Sequence, residues 1–218
     1  MTGPRIALIH ALAHSPGPIN AVLAREWPEA RRMNLLDDSL SADLARSGTL
    51  DERMTQRFLA LADYAVGTGA DAILFTCSAF GPCIDGVKQR HASIPVLKPN
   101  EAMVDEAVAR AGGRPIGLLA TFEPTLRSMP PEFPAGTVIH TGCAAGALAA
   151  LDAGDGATHD RLAAAAAVQL AEAGCAVIAL AQFSLARARD AVAKATGLPV
   201  LTTPDSAVAR LKKLLGTR

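Results

Sequence analysis

The sequence predicts an α/β fold built twice: two open, mostly parallel sheets flanked by helices, related by a pseudo-twofold axis, with the active site in the cleft between them. Three observations lead there. Short aliphatic runs alternate with helical patterns along the 218 residues. The runs are apolar at successive positions, as strands covered on both faces must be. Three segments also recur in the same order. Ile6-Ala-Leu-Ile9 and Ile116-Gly-Leu-Leu119 stand 110 residues apart. Gly69-Ala-Asp-Ala-Ile-Leu-Phe-Thr-Cys77 and Gly174-Cys-Ala-Val-Ile-Ala-Leu-Ala-Gln182 stand 105 apart, and Ile94-Pro-Val-Leu97 and Leu198-Pro-Val-Leu201 stand 104 apart. A nearly constant offset is the mark of internal duplication.

In chain order, strands are predicted over 5–10, 32–36, 71–76, 94–97, 115–120, 137–141, 176–181 and 199–201. Leu50, Met54, Phe58, Leu61 and Ala65 mark one apolar face of a helix that ends near Gly67. Thr158 is the expected N-cap, and Gly174 the stop, of the helix before the seventh strand. Thr203-Pro204 opens the last helix, with Val208, Leu211 and Leu215 inward and Gly216 ending it. The break between halves is expected near Lys98-Pro99. It gives a first half of 1–97 completed by the helix 204–218, and a second half of 98–203.

Composition narrows the function classes. Lys+Arg and Asp+Glu both number 21, so the chain is formally neutral. Nucleic-acid binding needs a basic excess or stripe, and neither is present. The apolar stretch 162–181 is broken by Gln169, Glu172 and Gly174, so it reads as a helix and a strand, with no membrane span expected. The N-terminus runs straight into Ile6-Ala-Leu-Ile9 with no basic n-region and longer apolar run, so no signal peptide is expected. Four cysteines (77, 83, 143 and 175) lack the density of a secreted disulfide scaffold. A cytoplasmic protein with reduced thiols is expected, with a homo-oligomer left open. No glycine-rich dinucleotide or P-loop pattern appears, so no nucleotide cofactor is expected.

Ligands of parallel sheets bind at the carboxyl ends of the strands, where Cys77 and Gln182 hold equivalent places. Cys77 precedes Ser78-Ala-Phe-Gly-Pro82, a turn into a helix, whose N–H groups favour a thiolate. Ser78, Thr121, Thr125 and Ser128 offer hydroxyls at helix starts, where carboxylate or phosphate oxygens are held, or where they simply cap. Ser15 matches Thr125 at the 110-residue offset. His10 and His14 have metal-ligand spacing, but Ser15-Pro-Gly-Pro18 forbids a regular helix there and nothing completes a cluster, so no metal is assigned. Cys77 and Cys83 are read as unrelated thiols in preference to a redox pair, Cys143 and Cys175 as structural, and Asp37-Asp38 as a solvated loop or cap in preference to a cation site.

The junction at 72–78, Gly117-Leu-Leu-Ala-Thr121 with Thr125 and Ser128, the Ile94-Pro-Val-Leu97 strand and the duplication together resemble the aspartate/glutamate/hydantoin racemase superfamily over nearly the whole chain. The resemblance implies a cofactor-independent enzyme acting on a small carboxylate. Its members use two cysteines that flank the acidic carbon. Cys77 matches the first. The second position falls on Gln182, in Ala181-Gln-Phe-Ser184, and an amide cannot exchange a proton with carbon near neutral pH. The site expected is therefore Cys77 and Gln182, with Ser15, Ser78, Ala79, Thr121, Thr125, Ser184 and His10 around the substrate. A racemase/isomerase-type reaction at the α-carbon leads, with Ser184, His10 or Glu123 as replacement acid where the reaction is racemization. Cys77 could also add to a double bond, as in the related maleate isomerases. The alternatives are a single-cysteine decarboxylase or lyase of a malonate-like acid, as in the related arylmalonate decarboxylases, whose cysteine lies at the other half's position, and a catalytically silent binder.

Overall fold

A computed structural model describes residues 3–13 and 15–216. The chain divides into two compact units, Met1–Pro99 with Ala207–Arg218, and Asn100–Ser206. The first contains β1 (Arg5–His10), α1 (Pro16–Glu26), β2 (Arg31–Leu36), α2 (Ser39–Ser47), α3 (Glu52–Gly67), β3 (Ala72–Phe75), α4 (Gly81–Arg90) and β4 (Val96–Leu97). The second contains α5 (Glu101–Ala111), β5 (Ile116–Ala120), α6 (Glu123–Ser128), β6 (Ile139–Cys143), α7 (Ala147–Asp152), α8 (Gly156–Glu172), β7 (Val177–Leu180), α9 (Arg189–Thr196) and β8 (Val200–Thr202). The division falls within the last helix, α10 (Thr203–Leu215).

Each unit holds a four-stranded sheet, ordered β2-β1-β3-β4 in the first and β6-β5-β7-β8 in the second. Every pairing is parallel. The duplication extends to register. Ile6 pairs with Ala72 as Ile116 pairs with Val177, and Ile73 pairs with Val96 as Ile178 pairs with Val200. Segments that recur in sequence thus occupy the same rungs of the two sheets.

The central strands β1, β3, β5 and β7 are buried almost throughout, which explains their unbroken apolar runs. β2 lies at a sheet edge, and from Arg32 onward its residues alternate between exposed and half-buried. In the first unit, Phe58 of α3 stacks on Phe75 at the end of β3, with centroids 5.4 Å apart, and tilts against Phe80 at 4.8 Å. In the second, α8 comes close to the sheet because Gly117 and Gly142 face Leu170. A Cβ at Gly117 would lie 2.8 Å from Ile178 Cδ1 and 3.1 Å from Leu170 Cβ. Glycine there permits the close helix–sheet approach.

Many expected strand ends move by one residue, and the fourth strand keeps only Val96–Leu97 of the predicted 94–97. The sixth strand runs over Ile139–Cys143 because Thr137 is held in the preceding turn, its N–H and hydroxyl both donating to the Pro134 carbonyl at 3.1 and 2.7 Å. Helix α8 begins earlier than Thr158 indicated. Asp155 is the cap, and its carboxylate accepts from the Thr158 N–H at 3.0 Å. In α10, Val208 and Leu211 are buried and Leu215 is half-buried.

Candidate functional site

In the first unit, Cys77 leaves the carboxyl end of β3 in extended conformation (φ −128°, ψ 120°) and caps the short 3₁₀ turn Ser78–Phe80. Phe80, fully buried, closes that turn onto Phe58. The turn that carries the thiol is therefore anchored by an aromatic core. Cys77 is half-buried and packs against the same core. Burial pushes its thiol pKa up, and the Ala79 N–H and Ser41 hydroxyl pull the other way without overcoming it. This corrects the expectation that the turn and helix end would favour the thiolate: desolvation of the charged form is the larger effect. Ser41, from α2, donates its hydroxyl proton to the Ala11 carbonyl at 2.8 Å. Ser78 and Ala79 are exposed.

His10 stands differently from its expected role as a substrate contact. It has no exposed surface, and both ring nitrogens are engaged: Nδ1 lies 2.8 Å from Thr76 Oγ1 and Nε2 lies 2.9 Å from Asn34 Oδ1. The amide oxygen can only accept, so Nε2 carries the proton and Nδ1 accepts from the Thr76 hydroxyl. Burial lowers the His10 pKa, and the bond to Asn34 offsets this only in part. His10 thus ties β1 to β2 and to the residue before Cys77, and is no free acid. Ser15 is buried at the N-cap of α1 without a side-chain capping bond. His14 lies outside the described residues.

Asp37 follows β2 and is no open cation ligand. It accepts from the Ser39 N–H at 3.2 Å and pairs with Arg57 at 2.7 Å. Burial works against the Asp37 carboxylate, but Ser39 and Arg57 hold it below its usual range. Among the described residues no group of three or more His, Cys, Asp or Glu could hold a metal.

In the second unit, Gln182 leaves β7 as Cys77 leaves β3: extended (φ −138°, ψ 146°) and capping a 3₁₀ segment, Phe183–Ala188. Its Oε1 accepts from the Thr121 N–H at 2.7 Å and from the Thr121 hydroxyl at 2.9 Å. Both Thr121 donors are therefore engaged by Gln182. Thr125 is half-buried inside α6 and Ser128 is exposed, its hydroxyl donating to the Thr125 carbonyl at 3.3 Å. Ser15 and Thr125 thus share an offset but not a helical position. Ser184 is half-buried in the 3₁₀ segment. Glu123 opens α6 and is exposed.

All four cysteines are free, with Cys83 and Cys175 buried. Cys143, read from sequence as structural, ends β6 half-buried, level with Ala120. Burial, and then the neighbouring Glu123 carboxylate, push its thiol up. Ser41, Asn34 and Thr76 were not singled out in sequence. Thr76 is visible beside Cys77, but only the fold brings Ser41 near Cys77 and Asn34 to His10.

The duplicated parallel sheets, each with a polar or thiol side chain at the end of its third strand in chain order, define the class as a duplicated parallel α/β fold. The family model for Asp/Glu/Hydantoin racemase matches residues 18–210, and the chain belongs to that family. Its fold is similar to that of a glutamate racemase isoform from Bacillus anthracis, with TM-score 0.72 at 13% identity, covering 100% of this chain and 83% of that one. It is also similar to an allantoin racemase from Klebsiella pneumoniae, with TM-score 0.70 at 16% identity, covering 99% and 89%. Unliganded arylmalonate decarboxylase matches with TM-score 0.68 at 16% identity, covering 98% and 93%. No curated protein matches the sequence significantly. Among the described residues no helix is long and apolar enough to cross a membrane.

Proposed function

We propose that the chain is a cofactor-independent enzyme of the racemase/isomerase type, working in the cytoplasm at the α-carbon of a small carboxylate, an amino acid or related acid, with the Cys77 thiol as base or nucleophile. The observation that carries this reading is the setting of Cys77: a half-buried thiol at a strand's carboxyl end, capping a 3₁₀ turn that Phe80 anchors on Phe58. The desolvation that raises this thiol leaves little thiolate near neutrality. It also makes that thiolate a stronger base toward a carbon-bound proton. Membership of the Asp/Glu/hydantoin racemase family supports the reaction class.

A second reading, a single-cysteine decarboxylase or lyase of a malonate-like acid, is favoured by one observation: the side chain equivalent to Cys77 is the Gln182 amide, which carries no transferable proton. In that reaction the bond to one carboxylate breaks and carbon dioxide leaves with the electron pair remaining on the α-carbon. The Cys77 S–H then delivers one proton, and the thiolate regains it from solvent. A raised thiol pKa keeps that proton in place.

One assay separates the readings. The protein is incubated in D₂O with small amino acids and with substituted malonates, and deuterium at the α-carbon and carbon dioxide release are followed. The leading reading expects deuterium in recovered substrate, and the second expects carbon dioxide with one deuterium in the product. Cys77→Ala should lower either rate by about 10²–10⁴-fold. No turnover of either kind would leave a small-molecule binding protein.

A further inference from the structure

Resting on that reading, we propose that Gln182 is a fixed hydrogen-bond donor to an anionic oxygen of the carboxylate substrate, and that Thr121 is the positioning residue that aims it. The orientation of the amide follows from chemistry. A backbone N–H only donates, so the atom 2.7 Å from Thr121 N must be the amide oxygen, and the Thr121 hydroxyl, 2.9 Å away, then donates to it as well. A flipped amide would set two donors against each other. With Oε1 occupied twice, the Nε2 group carries the free capacity of the side chain: it has two N–H donors and no partner among the described residues.

Thr121 itself is held firmly. It is buried and directly follows β5, the neighbour of β7 in the sheet. Gln182 is extended and begins the 3₁₀ segment, whose Leu185 N–H donates to the Gln182 carbonyl at 3.1 Å. Backbone and side chain are thus pinned at both ends, which fixes the amide group that carries the two N–H donors. A preorganised neutral donor stabilises a carboxylate or enediolate oxygen without paying reorganisation when charge develops. It moves no proton. The equivalent of Thr121 in the first unit is Ala11, which has no hydroxyl, so this clamp is peculiar to the glutamine position.

The test is an NMR titration of the full chain with ¹⁵N-labelled glutamine, the Gln182 side-chain resonances being assigned by their loss in Gln182→Met. Sodium malonate and sodium acetate are the probes, with protection of Cys77 from iodoacetamide measured in the same samples. Saturable movement of the Gln182 N–H resonances is expected. Thr121→Val, which keeps the backbone bond and loses the hydroxyl, should weaken malonate binding about tenfold, and Thr121→Ser should restore it. Gln182→Glu should weaken binding at least tenfold, because a carboxylate accepts the same Thr121 donors and presents none. Unmoved Gln182 resonances with Cys77 protected would overturn this assignment while leaving the proposed function standing. Unmoved resonances without protection of Cys77 would overturn both.

Discussion

The ring of Phe80 packs 4.8 Å from that of Phe58, and Phe80 closes the 3₁₀ turn that Cys77 opens. The position of the thiol therefore depends on an aromatic contact made by α3. Phe80 is fully buried, so Phe80→Ala should cost about 3–5 kcal/mol of stability. Urea unfolding measures that loss. Iodoacetamide labelling of the folded variant should show Cys77 reacting faster as the turn loosens. A variant with native stability and unchanged labelling would remove the aromatic anchor from the account.

Burial dominates the Cys77 thiol, and the Ser41 hydroxyl opposes it. The pH profile of Cys77 alkylation should therefore have its midpoint above that of free cysteine. Ser41 favours the thiolate, so Ser41→Ala should move the midpoint higher still and slow alkylation at any fixed pH below it. A midpoint below that of free cysteine would show that the turn and helix end outweigh burial.

His10 is buried with its pKa lowered. The unfolded chain takes up the proton below about pH 6.5, and the folded chain does so only at lower pH. The stability that His10 contributes is therefore complete above about pH 6.5 and is lost as pH falls from there through the folded value. His10→Leu should cost about 1–3 kcal/mol at pH 7.5, because Thr76 and Asn34 lose their partner. It should also flatten the fall in Tm between pH 7 and 5. An equally steep fall in the variant would place the pH sensitivity elsewhere.

A Cβ at Gly117 meets Ile178 Cδ1 at 2.8 Å and Leu170 Cβ at 3.1 Å, while one at Gly142 meets only the flexible ends of Leu170 and Leu119, the nearest at 3.1 Å. Gly117→Ala should accordingly destabilise by about 1–3 kcal/mol and Gly142→Ala by less. Paired denaturation curves check the order. The reverse order would mean that β6, not β5, sets the approach of α8.

The sequence by itself was enough for the architecture. Buried parallel strands must be apolar at every position, so β1, β3, β5 and β7 announce themselves as runs, and duplication repeats those runs at a nearly constant offset. Register was seen only in the structure, where Ile6–Ala72 and Ile116–Val177 are the same rung in the two sheets. Edges were less legible: β6 carries Gly142 and begins two residues beyond its predicted start, since a turn bond to Pro134 and the close packing of Leu170 are not local properties. Only the tertiary structure decided what the polar strand-end residues do. A histidine, a threonine and a glutamine look alike as candidates in sequence. Burial and partners 24, 66 and 61 residues away turn His10 into a tie between strands and Thr121 into a clamp on Gln182. The direction of the Cys77 pKa was likewise beyond the sequence. Helix-end donors are read from neighbours in the chain, whereas desolvation is set by whatever the fold packs against the sulfur, and here it is the stronger effect.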